Sequence, residues 1–101
     1  MSLPKLVRDK IPGLIENSGK FPLVEKAEGA ELSNFIFAKL HEEIKEFKDD
    51  PSLEEAADIY EAFLALCENF KMNVQDVLLA AENKRLEKGS FKKSFILKSV
   101  N

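Results

Sequence analysis

The stretch Glu42-Glu43-Ile44-Lys45-Glu46-Phe47-Lys48-Asp49-Asp50-Pro51-Ser52-Leu53-Glu54-Glu55-Ala56-Ala57-Asp58 decides how this chain is read. Pro51 disfavours helical backbone at Asp50, so one helix has to stop just before it. Ser52 followed three residues later by Glu55 is a capping-box pattern, so the next helix begins at once. The two helices must therefore turn tightly at Asp50-Pro51-Ser52. Working backward, Leu32, Ile36, Leu40, Ile44 and Phe47 recur at helical spacing and place the first helix over about Ala30 to Asp49. Working forward, Ile59, Ala62, Phe63, Leu66 and Phe70 line one face of the second helix, and Leu53, Tyr60, Leu64 and Cys67 a second face. With two apolar faces, this helix is expected to be the most buried.

A third helix is expected from Asn73, as N-cap, to Lys88, with Gly89 in the left-handed closing position. Upstream, Leu6 to Gly19 begins extended and becomes a short helix, with Asp9 as N-cap, Pro12 in the first turn and Gly19 closing it. Phe21 to Ala27 has no helical period and is read as extended. The tail, Phe91 to Val100, alternates at Phe95, Leu97 and Ser99 and is read as a short strand, with the Leu23 region as its candidate partner. The expected fold is all-α: an antiparallel helical bundle with a short N-terminal helix and minor extended segments.

At 101 residues, 45 % of them hydrophobic, the chain is expected to form one globular domain over residues 1–101. So small a chain would gain from oligomerisation. Eighteen acidic residues against 15 basic ones give a net charge of −3, which disfavours a nucleic-acid polymer as partner. It does not disfavour a single nucleotide whose phosphates are met by a cation. One cysteine, Cys67, excludes an internal disulfide, and no Cys/His spacing points to zinc. No apolar run approaches a membrane span and no signal peptide is read at the start, so a reducing cytoplasmic setting and no membrane contact are expected.

Each half of the opening stretch sets carboxylates three residues apart, side by side on one helix face. With Ile36 at zero and about 100° per residue, Leu32, Leu40 and Phe47 fall within about 40°. Glu43 falls about 20° from zero, inside the apolar stripe, and Glu46 at its edge. With Ile59 at zero, Glu55 lies about 40° off and Asp58 at the edge, whereas Glu54, Glu61 and Glu68 cluster on the opposite side. Glu43, Glu46, Glu55 and Asp58 are thus expected to converge between neighbouring helices. Four carboxylates brought together and partly dehydrated cannot all stay ionised without a cation. An all-oxygen set selects Mg²⁺, or Mn²⁺ as a substitute, over zinc. The bland alternative is that Glu55 completes the capping box with Ser52 and Glu43 pairs with Lys39 one turn earlier.

On the third helix Ala81, Lys84 and Lys88 share a stripe with Val77, so Lys84 and Lys88 are candidates for a polyphosphate tail. Basic residues are favoured in the last helical turn in any case, and Arg85 lies off the stripe centre. Asn83 is a candidate contact to base or phosphate. His41 falls on the polar side of its helix and is expected at the surface; Cys67 is expected in the core.

The opening Lys5-Leu6-Val7-Arg8-Asp9-Lys10-Ile11-Pro12, the Glu42-Glu43-x-x-Glu46-Phe47 helix, the Glu54-Glu55-Ala56-Ala57-Asp58 helix and the ending Lys84-x-x-x-Lys88-Gly89-Ser90-Phe91 resemble the MazG-like branch of all-α nucleoside triphosphate pyrophosphohydrolases, often labelled phosphoribosyl-ATP pyrophosphohydrolase-like. The resemblance implies metal ligation by Glu43, Glu46, Glu55 and Asp58. It also implies attack of water on the α-phosphorus to give a monophosphate and pyrophosphate. It makes Glu42 a candidate for positioning that water, and it implies a homodimer or homotetramer. Competing expectations are the phosphoribosyl-ATP enzyme of histidine biosynthesis, a non-catalytic nucleotide- or protein-binding helical module, and a purely structural oligomer.

Overall fold

The structure, a computed structural model, describes residues 3–101. Its elements are α1 (Ile11–Asn17), α2 (Gly29–Asp49), α3 (Leu53–Asn69) and α4 (Val74–Lys88), with no strand among the described residues. Among the described residues no helix is long and apolar enough to cross a membrane. The chain falls into two compact units, Met1–Lys71 and Met72–Asn101.

In the first unit α3 runs back along α2. At one end of the pair the Asn69 amide donates to Ser33 Oγ at 2.7 Å, and the Phe37 and Phe70 rings lie 6.0 Å apart and tilted by 47°. At the other end is the three-residue turn Asp50-Pro51-Ser52, where Ser52 Oγ accepts from the Glu55 backbone N–H. That bond satisfies one of the amides a helix start leaves open. The apolar residues buried in this unit are few: Ile36, Ala62 and Cys67. Leu32 and Leu40 are half-buried, whereas Ile44 and Phe47, expected in the same stripe, are 48 % and 36 % exposed. The second apolar face expected of α3 divides likewise, with Leu64 and Cys67 covered but Leu53 and Tyr60 exposed.

Short helix α1 starts differently from the expectation. Lys10, not Asp9, occupies the N-cap, and no side chain caps it. The Ile11 N–H is met instead by the Arg8 carbonyl in a turn, so no side-chain acceptor is needed there. Its far end does stop at Gly19, whose φ of +88° lets Gly19 N–H reach Glu16 O while Lys20 N–H reaches Ile15 O, a Schellman closure.

The second unit holds α4 and the tail. Asn73 Oδ1 accepts from Gln75 N–H at the start of α4, and Gly89 closes it at φ +87° and ψ 179°. That pairing lies outside the left-handed helical region and in one that glycine alone adopts readily. The strand expected over Phe91 to Val100 does not form. Ser94 N–H bonds back to Phe91 O with Ser94 at φ +56°, so a turn interrupts the alternation before it can become a strand. Phe21 to Ala27 is likewise irregular rather than paired.

Candidate metal centre

Glu43 and Glu46 lie three residues apart near the end of α2, and Glu55 and Asp58 three apart in the first turns of α3. Because the turn between the helices is so short, both pairs face the same end of the hairpin. One carboxylate oxygen from each of the four lies within 4.8 Å of all the others, close enough for a single cation to touch every one. Glu43 is the most deeply placed, only 5 % exposed, while Glu46, Glu55 and Asp58 are half-buried. Glu54, Glu61 and Glu68 point to solvent, as their positions on the wheel require.

Two basic side chains meet the quartet. Lys39 Nζ, one turn before Glu43, lies 3.1 Å from Glu43 Oε1 and 3.5 Å from Glu42 Oε2. Arg8, in the segment before α1, donates from Nη2 to Asp58 Oδ1 at 2.7 Å, with Nη1 3.9 Å from Glu61. Lys5, three residues earlier in the same segment, lies 3.7 Å from Glu42. The Lys39–Glu43 pairing weighed from the sequence is therefore present, but it accounts for one Glu43 oxygen only. Glu43 Oε2 and Glu55 Oε2 are buried with no hydrogen-bond partner, as is Glu42 Oε1, which has only the longer ion pair to Lys5. The Glu55 carboxylate thus leaves Oε2 unused by any capping bond.

The electrostatics follow. Burial pushes the Glu43 carboxyl above its ordinary value of 4.5, and the neighbouring Glu46 and Asp58 add to the rise while Lys39 opposes it. Glu55 is raised too, by desolvation first and then by Asp58 and Glu43. Burial acts to lower the Lys39 ammonium, but the carboxylates of Glu43 and Glu42 outweigh it and hold its pKa above 10.5. The four acids have Lys39 and Arg8 as counter-charges, and these are shared with Glu42 and Glu61, so the cluster keeps a net negative charge that a cation would offset. An unpaired buried acceptor is costly, so the donor set fits a hard, oxygen-seeking cation.

Glu42 sits beside the quartet, between Lys5 and Lys39, and is not one of the four converging acids. Asn83, Lys84 and Lys88 belong to α4 in the second unit, and all three are exposed. His41 is exposed and Cys67 buried, as expected. Two surface depressions lie elsewhere, one lined by Glu16, Gly19, Lys20, Phe21 and Pro22, the other by tail residues from Ser90 to Ile96. Neither includes a member of the quartet. Sequence reasoning missed Arg8 as a neighbour of the acids. Its only signal was that a basic residue stands in the Lys5–Pro12 motif without a helical stripe to explain it. Comparison with protein families, with curated proteins and with solved structures finds no match to this chain.

Proposed function

We propose that this chain is a Mg²⁺-dependent nucleotide pyrophosphohydrolase of the MazG-like kind. It would split a nucleoside triphosphate, or a related nucleotide, into a monophosphate and pyrophosphate. The observation that carries the reading is the quartet Glu43, Glu46, Glu55 and Asp58, within 4.8 Å and anchored by a carboxylate that is 5 % exposed. A surface cluster of acids would spread into water; this one is held together by two helices at the cost of burying unpaired oxygens. Mg²⁺ bound there supplies a Lewis acid for phosphate oxygens and a means of lowering the pKa of water, with Mn²⁺ as a substitute. Glu43, Glu46, Glu55 and Asp58 hold that ion in place. Glu42, beside the quartet and held between Lys5 and Lys39, would position the attacking water.

Such an enzyme acts as a cytoplasmic homodimer or homotetramer, which also accounts for Leu53 and Tyr60 being 88 % and 53 % exposed on a helix otherwise built for a core. The same chemistry on phosphoribosyl-ATP is the nearest alternative. A panel of nucleotides incubated with the protein and Mg²⁺, with and without chelator, tests both. Monophosphate and pyrophosphate formed only with metal is the expected result. No turnover of any nucleotide, together with stabilisation by nucleotide and metal, would replace the enzyme by a binding module.

A further inference from the structure

The pair between Arg8 and Asp58 joins residues 50 positions apart and has no role in building a helix. Arg8 lies on an irregular segment fastened to both helices of the hairpin at their acidic end, by Lys5 to Glu42 of α2 and by Arg8 to Asp58 and Glu61 of α3. Leu6 and Val7 between them are half-buried, which holds the segment down, while the Arg8 side chain is 53 % exposed and has room to turn. Its guanidinium sits on one of the four carboxylates that a divalent ion would need. A divalent ion on Asp58 therefore competes with Arg8 for the negative charge of this carboxylate, and for Oδ1 itself if the ion takes that oxygen, and a guanidinium released beside a metal ion is a ready partner for the phosphate oxygens that approach the same ion.

We propose that Arg8 is the exchangeable counter-ion of the site. It neutralises Asp58 when no metal is bound and turns to the diphosphate portion of the ligand once a divalent ion takes the carboxylate. The inference rests on the metal-site reading above and adds a phosphate-binding residue to it. Lys39 cannot play this part. It sits one turn from Glu43 on the same helix and stays within reach of that carboxylate whatever else is bound.

The test uses Arg8→Ala and Arg8→Lys with two probes, Mn²⁺ alone and pyrophosphate added to the Mn²⁺-loaded protein, both followed calorimetrically. Arg8→Ala is expected to bind Mn²⁺ several-fold more tightly than the wild type, because a competitor has gone. It is expected to lose about ten- to a hundredfold in pyrophosphate affinity, the range for hydrogen bonds to a charged group. Arg8→Lys keeps the charge without the planar fork and should fall between the two in pyrophosphate affinity, which also covers the case of an Arg8→Ala chain that fails to fold. A purely structural Arg8 would weaken Mn²⁺ binding on removal, or leave both affinities unchanged, and either result overturns the proposal. If the wild type binds Mn²⁺ and pyrophosphate as described yet turns over no nucleotide, the enzymatic reading fails and the role of Arg8 stands. If the wild type binds no Mn²⁺, both fall.

Discussion

Replacing Glu43 by glutamine should make the metal-free protein more stable and its metal response smaller. Glu43 is 5 % exposed; Oε1 is paired with Lys39 at 3.1 Å, whereas Oε2 is buried without a partner beside Glu46 and Asp58. Glutamine keeps the shape. With its carbonyl toward Lys39, its amide N–H groups occupy the Oε2 position and donate to the neighbouring acids. An unsatisfied buried acceptor costs about 1–3 kcal/mol. Against this, the Lys39 pair loses its full charge, and both partners are mostly covered; but Lys39 retains Glu42 at 3.5 Å, so no buried charge is left alone, and burial with the neighbouring acids already outweighs Lys39 at this carboxyl. The balance is a gain of about 1 kcal/mol, which raises Tm by about 4–8 °C in a domain of this size. Thermal denaturation followed by circular dichroism in chelator measures it. The same melt in excess Mg²⁺ should show a large upward shift for the wild type, about 2.7 kcal/mol at a hundredfold excess over Kd, and much less for Glu43→Gln. A Glu43→Gln protein that melts below the wild type in chelator, or keeps the whole Mg²⁺ shift, would refute the claim that this carboxylate is strained for the sake of a cation.

Three further outcomes follow from the same geometry. Because Glu43 and Glu55 have folded pKa values raised above the ordinary 4.5, the folded metal-free chain holds their protons longer than the unfolded chain does. Their stabilising contribution is complete below pH 4.5 and is lost as pH rises through the folded values. The Mg²⁺-induced rise in Tm should therefore grow across that window, and a shift independent of pH would count against it. Asp58→Asn should change stability in chelator by less than about 1 kcal/mol, since its pair with the half-exposed Arg8 is worth little, yet abolish the Mg²⁺ shift in the same melts. Light scattering should give a mass two or four times the 11.4 kDa of the chain, and Tyr60→Lys should drive it toward monomer; a wild-type monomer would remove the oligomer from the proposal.

Much of the hairpin could be read from local rules because each rule acts over a few residues. Pro51 ends α2, Ser52 starts α3, and the periodicity of Ile36 and Ile59 turns Glu43 and Glu55 inward. Those local facts also place the quartet, since two inward-facing carboxylate pairs at nearly equal distances from a three-residue turn come together at the same end of the hairpin. What could not be read depends on non-local or unpatterned contacts. Nothing at position 8 announces that its side chain will cross to position 58. The alternation of Phe95, Leu97 and Ser99 looked like a strand, but strands need a partner, and the turn at Ser94 removes the straight run first. Helix α1 starts one residue later than an Asp9 cap implies, because the Arg8 carbonyl, in a backbone turn, accepts the N–H that the Asp9 side chain would otherwise meet. The exposure of Ile44, Phe47, Leu53 and Tyr60 shows the limit of the periodicity argument. It identifies faces that want cover and does not say what covers them.

The two basic residues explain how four acids can be gathered before any cation arrives. A quartet with no counter-charge would push the hairpin ends apart; a quartet fully neutralised by its own side chains would gain nothing from an added ion. Lys39 and Arg8, shared with Glu42 and Glu61, leave much of the charge uncompensated, a compromise that keeps the site assembled and still able to take a cation. Their positions divide the task. Lys39 is tethered one turn from Glu43 and is mostly covered, 19 % exposed, so it lowers the standing cost of the buried carboxylate whether or not a ligand is present. Arg8 comes from outside the hairpin and is 53 % exposed, so it lowers that cost only while the site is free. A neutral residue at position 39 should therefore weaken the fold in chelator more than one at position 8, whereas only the change at position 8 should weaken pyrophosphate binding to the Mn²⁺-loaded protein. Opposite rankings in those two measurements, melting and pyrophosphate affinity, separate a permanent counter-ion from an exchangeable one.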